Sequence, residues 1–529
     1  MGSSSSDRVN RSRRRLLLAA GLAAAGVPWS GPWRAMAATL ASPDPDAPVL
    51  PPGSAQGRDV LILGAGIAGL ASAYELHRAG ARVRVLEARE RVGGRCWTLR
   101  GGDRFTEMGG VEQRCPFAPG DYLNPGANRI LPWQQGVLAY CRRLGVPLEL
   151  YASGPKGENW VLRRTPGHPL TGRPIRFQEL DRDEIGYAMQ RLVELLGPSG
   201  GVTDSDRALA DWARAYGDLD SAGQYQTDAA RGYRIPPGAV DAPGEIGMPL
   251  PAEQLWTYGT LNKTPARVNS ATFPTPTLTV SGGIDRFALV LAGQLPADSI
   301  RLGAEVVRLR QDATGVTVRW RDRASGAMHE ERAAQVICTI PFIVLAHIDT
   351  DIDPTLKAIV ANLAYAPVVK VGLAFDRRFW EQDEHIFGGY SFMDDPDLML
   401  IYPSAQLGSA TGVLTCYYLT EGSLGMAGLA PPERQRVALG DVAQLHPQAA
   451  DACVGAVSVA WARIPFNAGC YGAWSSNARK RDLPRIAEGD RRLIFAGEHV
   501  SQVPAWMEGA VQSAHAGLKR LQVQWGQPT

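Results

Sequence analysis

The stretch Asp59–Gly94, DVLILGAGIAGLASAYELHRAGARVRVLEARERVGG, decides the fold of this chain. A short apolar run, typical of a buried strand, leads into Gly64, Gly66 and Gly69, which stand in the order G-x-G-x-x-G. An amphipathic helical pattern follows, and a second β-rich run ends at an acid, Glu87. Strand, glycine turn, helix, strand and acid in this order predict a βαβ unit that binds a dinucleotide.

The glycines and the acid have separate tasks in such a unit. Gly64 permits the tight turn, Gly66 lets the backbone approach a pyrophosphate, and Gly69 lets helix and strand pack closely. The first helical turn, which contains Ala68, points unpaired N–H groups at the phosphates. Glu87 stands where a carboxylate accepts hydrogen bonds from a ribose diol. We therefore predict an α/β fold with a Rossmann-like cofactor domain.

The residues just after this acid indicate which dinucleotide is bound. Glu87-Ala88-Arg89 is followed at once by Gly93-Gly94-Arg95. A glycine pair and a guanidinium add backbone donors and a positive charge beside the pyrophosphate, as a longer, flavin-bearing ligand requires. The alternative is a Gly-rich surface turn with a solvated arginine. The sequence predicts FAD as the cofactor.

Length and composition describe a globular protein of more than one domain. The chain has 529 residues, 45% of them hydrophobic and 20% charged, and it is too long for a single core. Its net charge of +2 comes from the first 37 residues, and the remainder carries −3, which leaves no basic surface for nucleic acid or anionic lipid. The seven cysteines form no C-x-x-C pair, so neither a metal site nor a disulfide framework is indicated. No apolar run is long enough for a transmembrane helix, and we expect no stable membrane insertion.

The N-terminus resembles a twin-arginine export signal. Residues 1–37 contain Arg13-Arg14-Arg15, an apolar stretch at 16–27 and small residues at 35–37. The apolar stretch is too short to span a bilayer, and the small residues offer a cleavage site. We expect a bacterial protein exported by this route to the periplasm or secreted; a basic tail or an uncleaved anchor is the alternative. The Pro- and Gly-rich residues 38–57 are predicted to form a linker.

Pieces of the nucleotide domain return along the chain. Strand-like runs occur at 278–280, 305–309, 316–320 and 335–340, and a last one at 493–497 again ends in glycine. A nucleotide fold completed near the C-terminus implies that the intervening segments build a substrate domain. We predict an FAD-binding domain from 58–110, 278–347 and 485–529, a substrate-binding α+β domain from 111–177, 266–277 and 348–484, and a helical insertion from 178–265.

Together with the opening fingerprint, two further motifs resemble those of the flavin-dependent amine oxidases, and most closely the bacterial L-amino-acid oxidases. They are Glu107-Met108-Gly109-Gly110 and Phe495-Ala496-Gly497-Glu498. The family includes monoamine and polyamine oxidases, L-amino-acid oxidases and tryptophan 2-monooxygenase. The resemblance implies that Met108, Gly109 and Gly110 lie by the isoalloxazine ring and that Gly497 and Glu498 bind the ribitol–pyrophosphate region. It also implies that the backbone of Val306 contacts the adenine.

The resemblance to L-amino-acid oxidases depends on one arginine. Arg129, in Gly126-Ala127-Asn128-Arg129, resembles the arginine that binds the substrate carboxylate, and a buried guanidinium is the natural bidentate partner of that group. Arg114 is a rival for this role, and a surface arginine is the alternative for Arg129. Tyr402, in Ile401-Tyr402-Pro403, resembles the tyrosine that gives the carboxylate a hydroxyl hydrogen bond; a core aromatic is its alternative.

Four further residues resemble members of the catalytic cavity of this family. Lys370, a charge inside a run of valines, resembles the lysine that holds a water against flavin N5; strand alternation that points it to solvent is the alternative. Trp506 and Tyr471 resemble two aromatics that shape the pocket, exclude water and favour the neutral amine. Ala505 stands where L-amino-acid oxidases often carry glycine, a departure that would tighten the carboxylate end.

Cys470, in Gly469-Cys470-Tyr471, bears on how the cofactor is held. It resembles the cysteine that monoamine oxidases join covalently to the flavin, whereas L-amino-acid oxidases generally hold FAD without a bond. A buried free cysteine is the usual state of this residue type. The covalent link is therefore the less favoured of two alternatives.

These resemblances predict FAD-dependent oxidative deamination of L-amino acids to 2-oxo acids, with O2 as oxidant and ammonium and hydrogen peroxide as the other products. A homodimer is expected by the same resemblance. The alternatives are an amino-acid 2-monooxygenase, a monoamine or polyamine oxidase, and a non-enzymatic flavin-binding protein. His499, next to Glu498, is a candidate general base, and a hydrogen-bonded structural histidine is its alternative.

Overall fold

A computed structural model of the chain describes residues 47–154, 157–197, 203–257, 277–394 and 398–526. The predicted export signal (1–37) and residues 38–46 of the predicted linker lie outside these ranges, as do residues 258–265 of the predicted insertion. The described residues fall into two compact units, with 178–257 in one and 47–177 and 277–526 in the other.

The described part of the chain is rich in short strands. In chain order they are β1 (Asp59–Leu63), β2 (Arg82–Leu86), β3 (Leu99–Arg100), β4 (Arg104–Thr106), β5 (Glu112–Arg114), β6 (Tyr122–Leu123), β7 (Leu148–Tyr151), β8 (Trp160–Leu162), β9 (Ile175–Arg176), β10 (Tyr233–Ile235), β11 (Glu245–Ile246), β12 (Thr277–Val280), β13 (Ile300–Arg301), β14 (Ala304–Gln311), β15 (Val316–Asp322), β16 (Met328–Ala333), β17 (Gln335–Cys338), β18 (Asp349–Thr350), β19 (Val369–Phe375), β20 (Tyr390–Met393), β21 (Leu398–Ile401), β22 (Gly412–Tyr418), β23 (Cys453–Ala460) and β24 (Leu493–Phe495).

The helices of the same ranges differ widely in length. In chain order they are α1 (Ile67–Arg78), α2 (Gln135–Arg143), α3 (Phe177–Leu196), α4 (Asp204–Tyr216), α5 (Ala252–Trp256), α6 (Asp285–Ala292), α7 (Phe342–Leu345), α8 (Pro354–Asn362), α9 (Phe379–Gln382), α10 (Thr420–Gly428), α11 (Pro431–Ala443), α12 (Ala449–Ala452), α13 (Ser476–Ala487) and α14 (Met507–Gln524). None of them is long and apolar enough to cross a bilayer.

A five-stranded sheet in the larger unit contains the predicted βαβ motif for nucleotide binding. Its strands lie in the order β13–β2–β1–β17–β24, and every neighbouring pair is parallel. β1 and β17 are buried along almost their whole length, as expected of strands covered on both faces. This arrangement confirms the predicted α/β class with a Rossmann-like domain.

Helix α1 fits closely against this sheet because its third residue is glycine. A Cβ atom at Gly69 would lie 1.9 Å from the carbonyl oxygen of Gly64, which no side chain could avoid without moving the helix. The helix is buried from Ile67 to Leu76 and packs against α14 on its other side. The fingerprint therefore sits on a rigid element with its N-terminus fixed in place.

A seven-stranded sheet forms the second large layer, in the order β23–β19–β22–β21–β20–β8–β9. Its pairs are antiparallel except β20 with β8. Strand β19, which lies between β23 and β22, is buried at every position, and α11 packs near it. A separate four-stranded sheet, β16–β15–β14–β18, contains the predicted adenine contact Val306.

The smaller unit is built on α4 and most of α3. Asp183 is fully buried in it and accepts hydrogen bonds from Arg231 Nε at 2.8 Å, from the Tyr225 hydroxyl at 2.9 Å and from the Leu250 N–H at 2.8 Å. A buried carboxylate is tolerated because these donors satisfy it. The apolar core of the unit consists of Leu192, Val193, Leu196, Ala210 and Ala213.

A buried ion pair joins helix α11 to Glu107, which also contacts the end of β23 in the seven-stranded sheet. Arg434 of α11 and Glu107, just after β4, are 0% and 1% exposed. Arg434 Nη1 donates to Glu107 Oε1 at 2.9 Å, and Nη2 donates to the second oxygen. The N–H of Ala460 donates to the same carboxylate at 3.2 Å. Because the pair is fully enclosed, losing one partner leaves the other charge without compensation.

We expect Arg434→Met to lower the free energy of unfolding by about 3 kcal/mol or more, because it strands the Glu107 carboxylate in the interior. Guanidinium unfolding followed by circular dichroism measures the loss. Arg436→Met on the same helix is the matched control, since Arg436 pairs with Glu433 on the surface and its removal should change little. Equal losses for the two variants would contradict this account of the pair.

Candidate active site

A cavity of about 480 Å3 opens at the carboxyl ends of the parallel strands. Its walls include Gly64 after β1, Glu87 after β2, Thr339 after β17 and Gly497 after β24. Open α/β sheets bind their ligands at this edge, where the strand ends and the helix N-termini meet.

The structure brings most of the predicted site residues together in this one cavity. Those that line it are Gly64, Gly66, Ala68, Glu87, Ala88, Arg89, Gly94, Arg95, Arg129, Val306, Lys370, Cys470, Tyr471, Gly497, Glu498, Ala505 and Trp506. Gly69 lies behind the lining and acts through helix packing, as described above. Met108, Gly109, Gly110 and Tyr402 are not in the lining.

Backbone N–H groups hold the carboxylate of Glu87, the acid at the end of the fingerprint. Glu87 is 4% exposed, and its carboxylate accepts hydrogen bonds from the N–H groups of Ala65 at 2.8 Å and Arg89 at 2.9 Å. The N–H of Gly93 donates to the Ala65 carbonyl at 2.8 Å. This bond joins the two glycine loops, the first at Gly64–Gly69 and the second at Gly93–Gly94. It fixes Glu87 and the backbone that is predicted to face the phosphates relative to each other.

Arg95 and Glu498 form an ion pair in the cavity wall, 2.5 Å between Nη1 and Oε1. Burial opposes both charges, yet the opposite charge outweighs it: the pKa of Arg95 is raised and the pKa of Glu498 is lowered. Arg95 also donates to the Cys470 carbonyl at 2.8 Å, and Glu498 accepts from the N–H groups of Gly472 and Ala505. Glu498 therefore lines the cavity and also joins these segments of its wall.

His499 is a buried neutral histidine beside this wall. Burial lowers its pKa to about 4, and its ring packs edge-on against Phe342 with centroids 4.5 Å apart. Neither ring nitrogen has a hydrogen-bond partner in the described structure, and the residue does not line the cavity. His499 therefore lies outside the cavity that the other predicted site residues share, and in the described structure it is not the hydrogen-bonded histidine given as the alternative.

The prediction for Met108, Gly109 and Gly110 is corrected by the structure. These residues form the exposed turn between the paired strands β4 and β5, and Met108 is 45% exposed. The motif resembles the family's glycine pair in sequence, but it does not line the cavity. The chain reaches the cavity only after fifteen further residues, at Gly126. Arg114, on β5, is exposed as well, which removes it as a rival to Arg129.

The segment Gly126–Arg129 lines the cavity instead. A Cβ atom at Gly126 would lie 1.9 Å from the carbonyl oxygen of Arg95, so the close approach of these two loops requires glycine. The sequence signal was present in Asn124-Pro125-Gly126, directly before Arg129. The Gly109-Gly110 pair resembles the family's motif more closely and therefore gives the stronger signal in the sequence.

Lys370 points into the cavity rather than to solvent. It is 3% exposed, and its ammonium donates to the carbonyl oxygens of Asn124 at 3.1 Å and Gly126 at 2.8 Å. It also lies 4.9 Å from the centre of the Tyr417 ring. Burial lowers the pKa of Lys370 to about 8, and the charge of Arg129 acts in the same direction. An amine with this pKa can change its protonation state near neutral pH.

Arg129 is half-buried in the cavity wall among hydroxyls and aromatic rings. Its Nη1 donates to the Ser153 hydroxyl and lies 3.4 Å from the Tyr390 hydroxyl. Its guanidinium stands 5.4 Å from the Trp506 ring centre and 5.7 Å from the Tyr390 ring centre. The hydroxyls and aromatic faces around it help to hold this guanidinium in position.

The prediction for Tyr402 is also corrected. Tyr417 of β22 pairs with Met399, and Tyr390 of β20 pairs with Ile401, so these side chains share the face of the sheet that carries Lys370. Tyr402 follows Ile401 by one residue and falls on the opposite face, since side chains alternate along a strand. A shift of one residue thus separates it from the cavity.

Tyr402 has other partners on that opposite face. Its hydroxyl is fully buried and hydrogen-bonds with the Ser391 hydroxyl at 2.8 Å and His446 Nε2 at 2.7 Å. Nδ1 of His446 lies 2.6 Å from Glu384. The residue borders a separate, smaller cavity of about 80 Å3, and its role is structural.

Tyr417 is a cavity residue that sequence reasoning missed. Burial raises the pKa of its phenol well above the ordinary value, so the hydroxyl remains a hydrogen-bond donor at neutral pH. The residue precedes the buried Tyr418 in a run of alternating side chains. Only the register of β22 against β19 shows which of the two tyrosines faces the cavity.

Two aromatic residues and one cysteine also belong to the cavity wall. Trp506 packs edge-on against Trp133 with ring centroids 5.7 Å apart, and Tyr471 lines the same cavity. Ala505 donates its N–H to Glu498 and directly precedes Trp506. Its φ of 71° is left-handed. Burial raises the pKa of the Cys470 thiol to about 11, against the opposing charges of Lys370 and Arg95.

Fold and cavity together define a flavin-dependent oxidoreductase of the α/β type. The fingerprint helix, the acid Glu87 and the second glycine loop, all in the lining of one cavity, fit FAD. Residues 67–516 match the family described as flavin containing amine oxidoreductase. The chain belongs to this family, which confirms the predicted family and the predicted FAD cofactor.

Individual relatives are similar over most of their length. The flavin-dependent L-tryptophan oxidase RebO of Lentzea aerocolonigenes is 28% identical over 88% of this chain and 98% of that protein. An L-amino-acid oxidase of Siganus canaliculatus is 27% identical over 86% of this chain and 83% of that protein. A putrescine oxidase bound to putrescine has the same fold, with a TM-score of 0.59, 21% identity, and coverage of 88% of this chain and 99% of that one.

We expect denaturation with acid to release all FAD from the protein. A thiol with a pKa of about 11 is almost entirely protonated at neutral pH and is a weak nucleophile, so a bond from Cys470 to the flavin is not favoured. Flavin absorbance in the filtrate after precipitation measures the release. Flavin that stays with the precipitated wild type but is released from Cys470→Ala would establish the covalent link instead.

Proposed function

We propose that the protein catalyses oxidative deamination of L-amino acids to 2-oxo acids, ammonium and hydrogen peroxide. The observation that carries the proposal is the guanidinium of Arg129, which lines the cavity together with Lys370 and Trp506. A simple amine has no group for this cation to bind, whereas an α-carboxylate is its bidentate partner. The relatives named as L-tryptophan and L-amino-acid oxidases support the same substrate class.

Arg129 fixes the substrate at one end. Ser153 and Tyr390 hold the guanidinium, and we assign to Tyr417 the hydroxyl donor role predicted for Tyr402. Binding energy at the carboxylate then orients the α-carbon, which lowers the barrier through positioning. The chemistry that bound FAD supplies is acceptance of a hydride, followed by reoxidation by O2.

The aromatic wall and Lys370 act on the amine and the α-carbon of the substrate. Trp506 and Tyr471 exclude water, which favours the neutral amine that can lose a hydride. Lys370 is anchored by two carbonyl oxygens and has its pKa near 8, so it can hold a water and exchange a proton with it. The imino acid that leaves is hydrolysed to the 2-oxo acid and ammonium.

The experiment that tests this function is a peroxide-coupled screen of the L-amino acids and of the amines that correspond to them without the carboxylate. We expect turnover of amino acids and little turnover of the matched amines, for example tyrosine against tyramine. Tyramine oxidised faster than tyrosine would favour a monoamine oxidase. Amide and CO2 in place of a 2-oxo acid would establish an amino-acid 2-monooxygenase, and a flavin that anaerobic amino acids leave oxidised would favour a binding protein.

We expect Arg129→Lys to raise KM for amino acids by about tenfold to a hundredfold, as the loss of one bidentate charged contact predicts. FAD should be retained, because the residue lies at the substrate end of the cavity. Steady-state kinetics and the flavin absorbance at equal protein concentration measure the two effects. Arg114→Lys, on the exposed strand β5, is the matched control, and an unchanged KM in Arg129→Lys would end the amino-acid assignment.

A further inference from the structure

The segment Ile464–Cys470, here called the strap, leads away from the seven-stranded sheet and runs along the cavity. It follows β23 and a short helical turn at Trp461–Arg463. Phe466, Asn467 and Cys470 of the strap all line the cavity. The strap thus adds to the cavity wall residues that belong to neither glycine loop of the fingerprint.

Phe466 has a backbone conformation that aromatic residues rarely adopt. Its φ is +61°, and Ala468, two residues later, has a φ of +50°. Both values lie in the left-handed region, which is unfavourable for L-residues other than glycine and, less strongly, asparagine and aspartate. Such a conformation persists only where the surroundings fix it, and it is most often found at ligand-binding sites.

Arginines of the fingerprint region fix the strap at both ends. Arg89 Nη2 donates to the Pro465 carbonyl at 2.7 Å and to Asn467 Oδ1 at 2.5 Å, on either side of Phe466. Arg95 Nη1 donates to the Cys470 carbonyl at 2.8 Å. Because charge-assisted hydrogen bonds are stronger than neutral ones, the strap is attached firmly to the loops that surround the cofactor.

The Phe466 ring lies near two guanidinium groups. The Cζ atom of Arg323 stands 5.1 Å from the ring centre and that of Arg89 stands 6.0 Å from it. Arg323 is partly exposed and also donates to the Ala88 carbonyl at 3.1 Å. The ring is therefore held next to Glu87-Ala88-Arg89, the segment that the fingerprint assigns to the ribose of the adenosine half.

We propose that Phe466 is a binding residue for the adenosine half of FAD and that the strap controls the release of the cofactor. The fingerprint contributes backbone donors and a carboxylate, all of them polar, and the Phe466 ring adds an apolar cover that excludes water from this end. Release of FAD requires the strap to leave its left-handed turn and break its contacts with Arg89. The dissociation rate of FAD is set by this movement.

The rate of FAD dissociation tests the proposal directly. Phe466→Asn removes the ring but keeps a residue that tolerates the left-handed turn, and Phe466→Leu keeps apolar bulk without the aromatic face. Each variant also carries Cys470→Ala, so that no covalent bond can hold the flavin. The gain of flavin fluorescence after dilution of the holoprotein gives the rate, and titration of the apoprotein with FAD gives the affinity.

We expect Phe466→Asn to dissociate FAD about tenfold faster or more than the Cys470→Ala parent, with Phe466→Leu between the two, since an aromatic contact of this kind is worth about that factor. Affinity should follow the same order. Equal dissociation rates in Phe466→Asn and its parent would overturn the proposal.

A second pair of variants avoids any change in the strap itself. Arg323→Gln removes the outer guanidinium from the Phe466 ring and should raise the dissociation rate several-fold. Arg377→Gln is the matched control, because Arg377 is similarly exposed and lies 5.9 Å from the Phe379 ring, away from the cavity. The same rate in both arginine variants would overturn the role assigned to the ring, even if Phe466→Asn did not fold.

Discussion

The ion pair between Arg95 and Glu498 is the interaction on which the cofactor cavity depends. It joins three segments that are far apart in the sequence: the second glycine loop, the end of the strap at Cys470, and the turn that leads to Trp506. Both charges are retained in spite of burial because each compensates the other. The pair therefore brings the cofactor loops and the substrate wall to fixed positions in the same cavity.

The nucleotide end of this cavity could be predicted from the sequence because its signals are local. Gly64, Gly69 and Glu87 lie within one βαβ unit, and the geometry of that unit follows from the backbone freedom of glycine and the order of strand, helix and strand. Arg129 and Lys370 were also identified, each from a short motif around a charge in an apolar setting. The export signal and the homodimer stay predictions.

The remaining parts of the site depend on the register between strands and on contacts between distant loops, which a single sequence does not display. Tyr402 and Tyr417 are both strand tyrosines, and only the register between strands shows which one faces Lys370. The exposed Gly109-Gly110 turn matches a motif, yet the close packing that requires glycine occurs at Gly126 against Arg95. Phe466 gives no signal at all, because a left-handed aromatic is unfavourable by local preference and is imposed by tertiary contacts.

The placement of β24 beside β17, at the edge of the parallel sheet, has a consequence for biosynthesis. During synthesis, β1, β2 and α1 are made well before the wall that contains Glu498 and α14. A cavity that encloses flavin can therefore form only after both regions have been synthesised. For the same reason, a gene divided between these regions would encode two fragments, and neither alone would enclose the coenzyme.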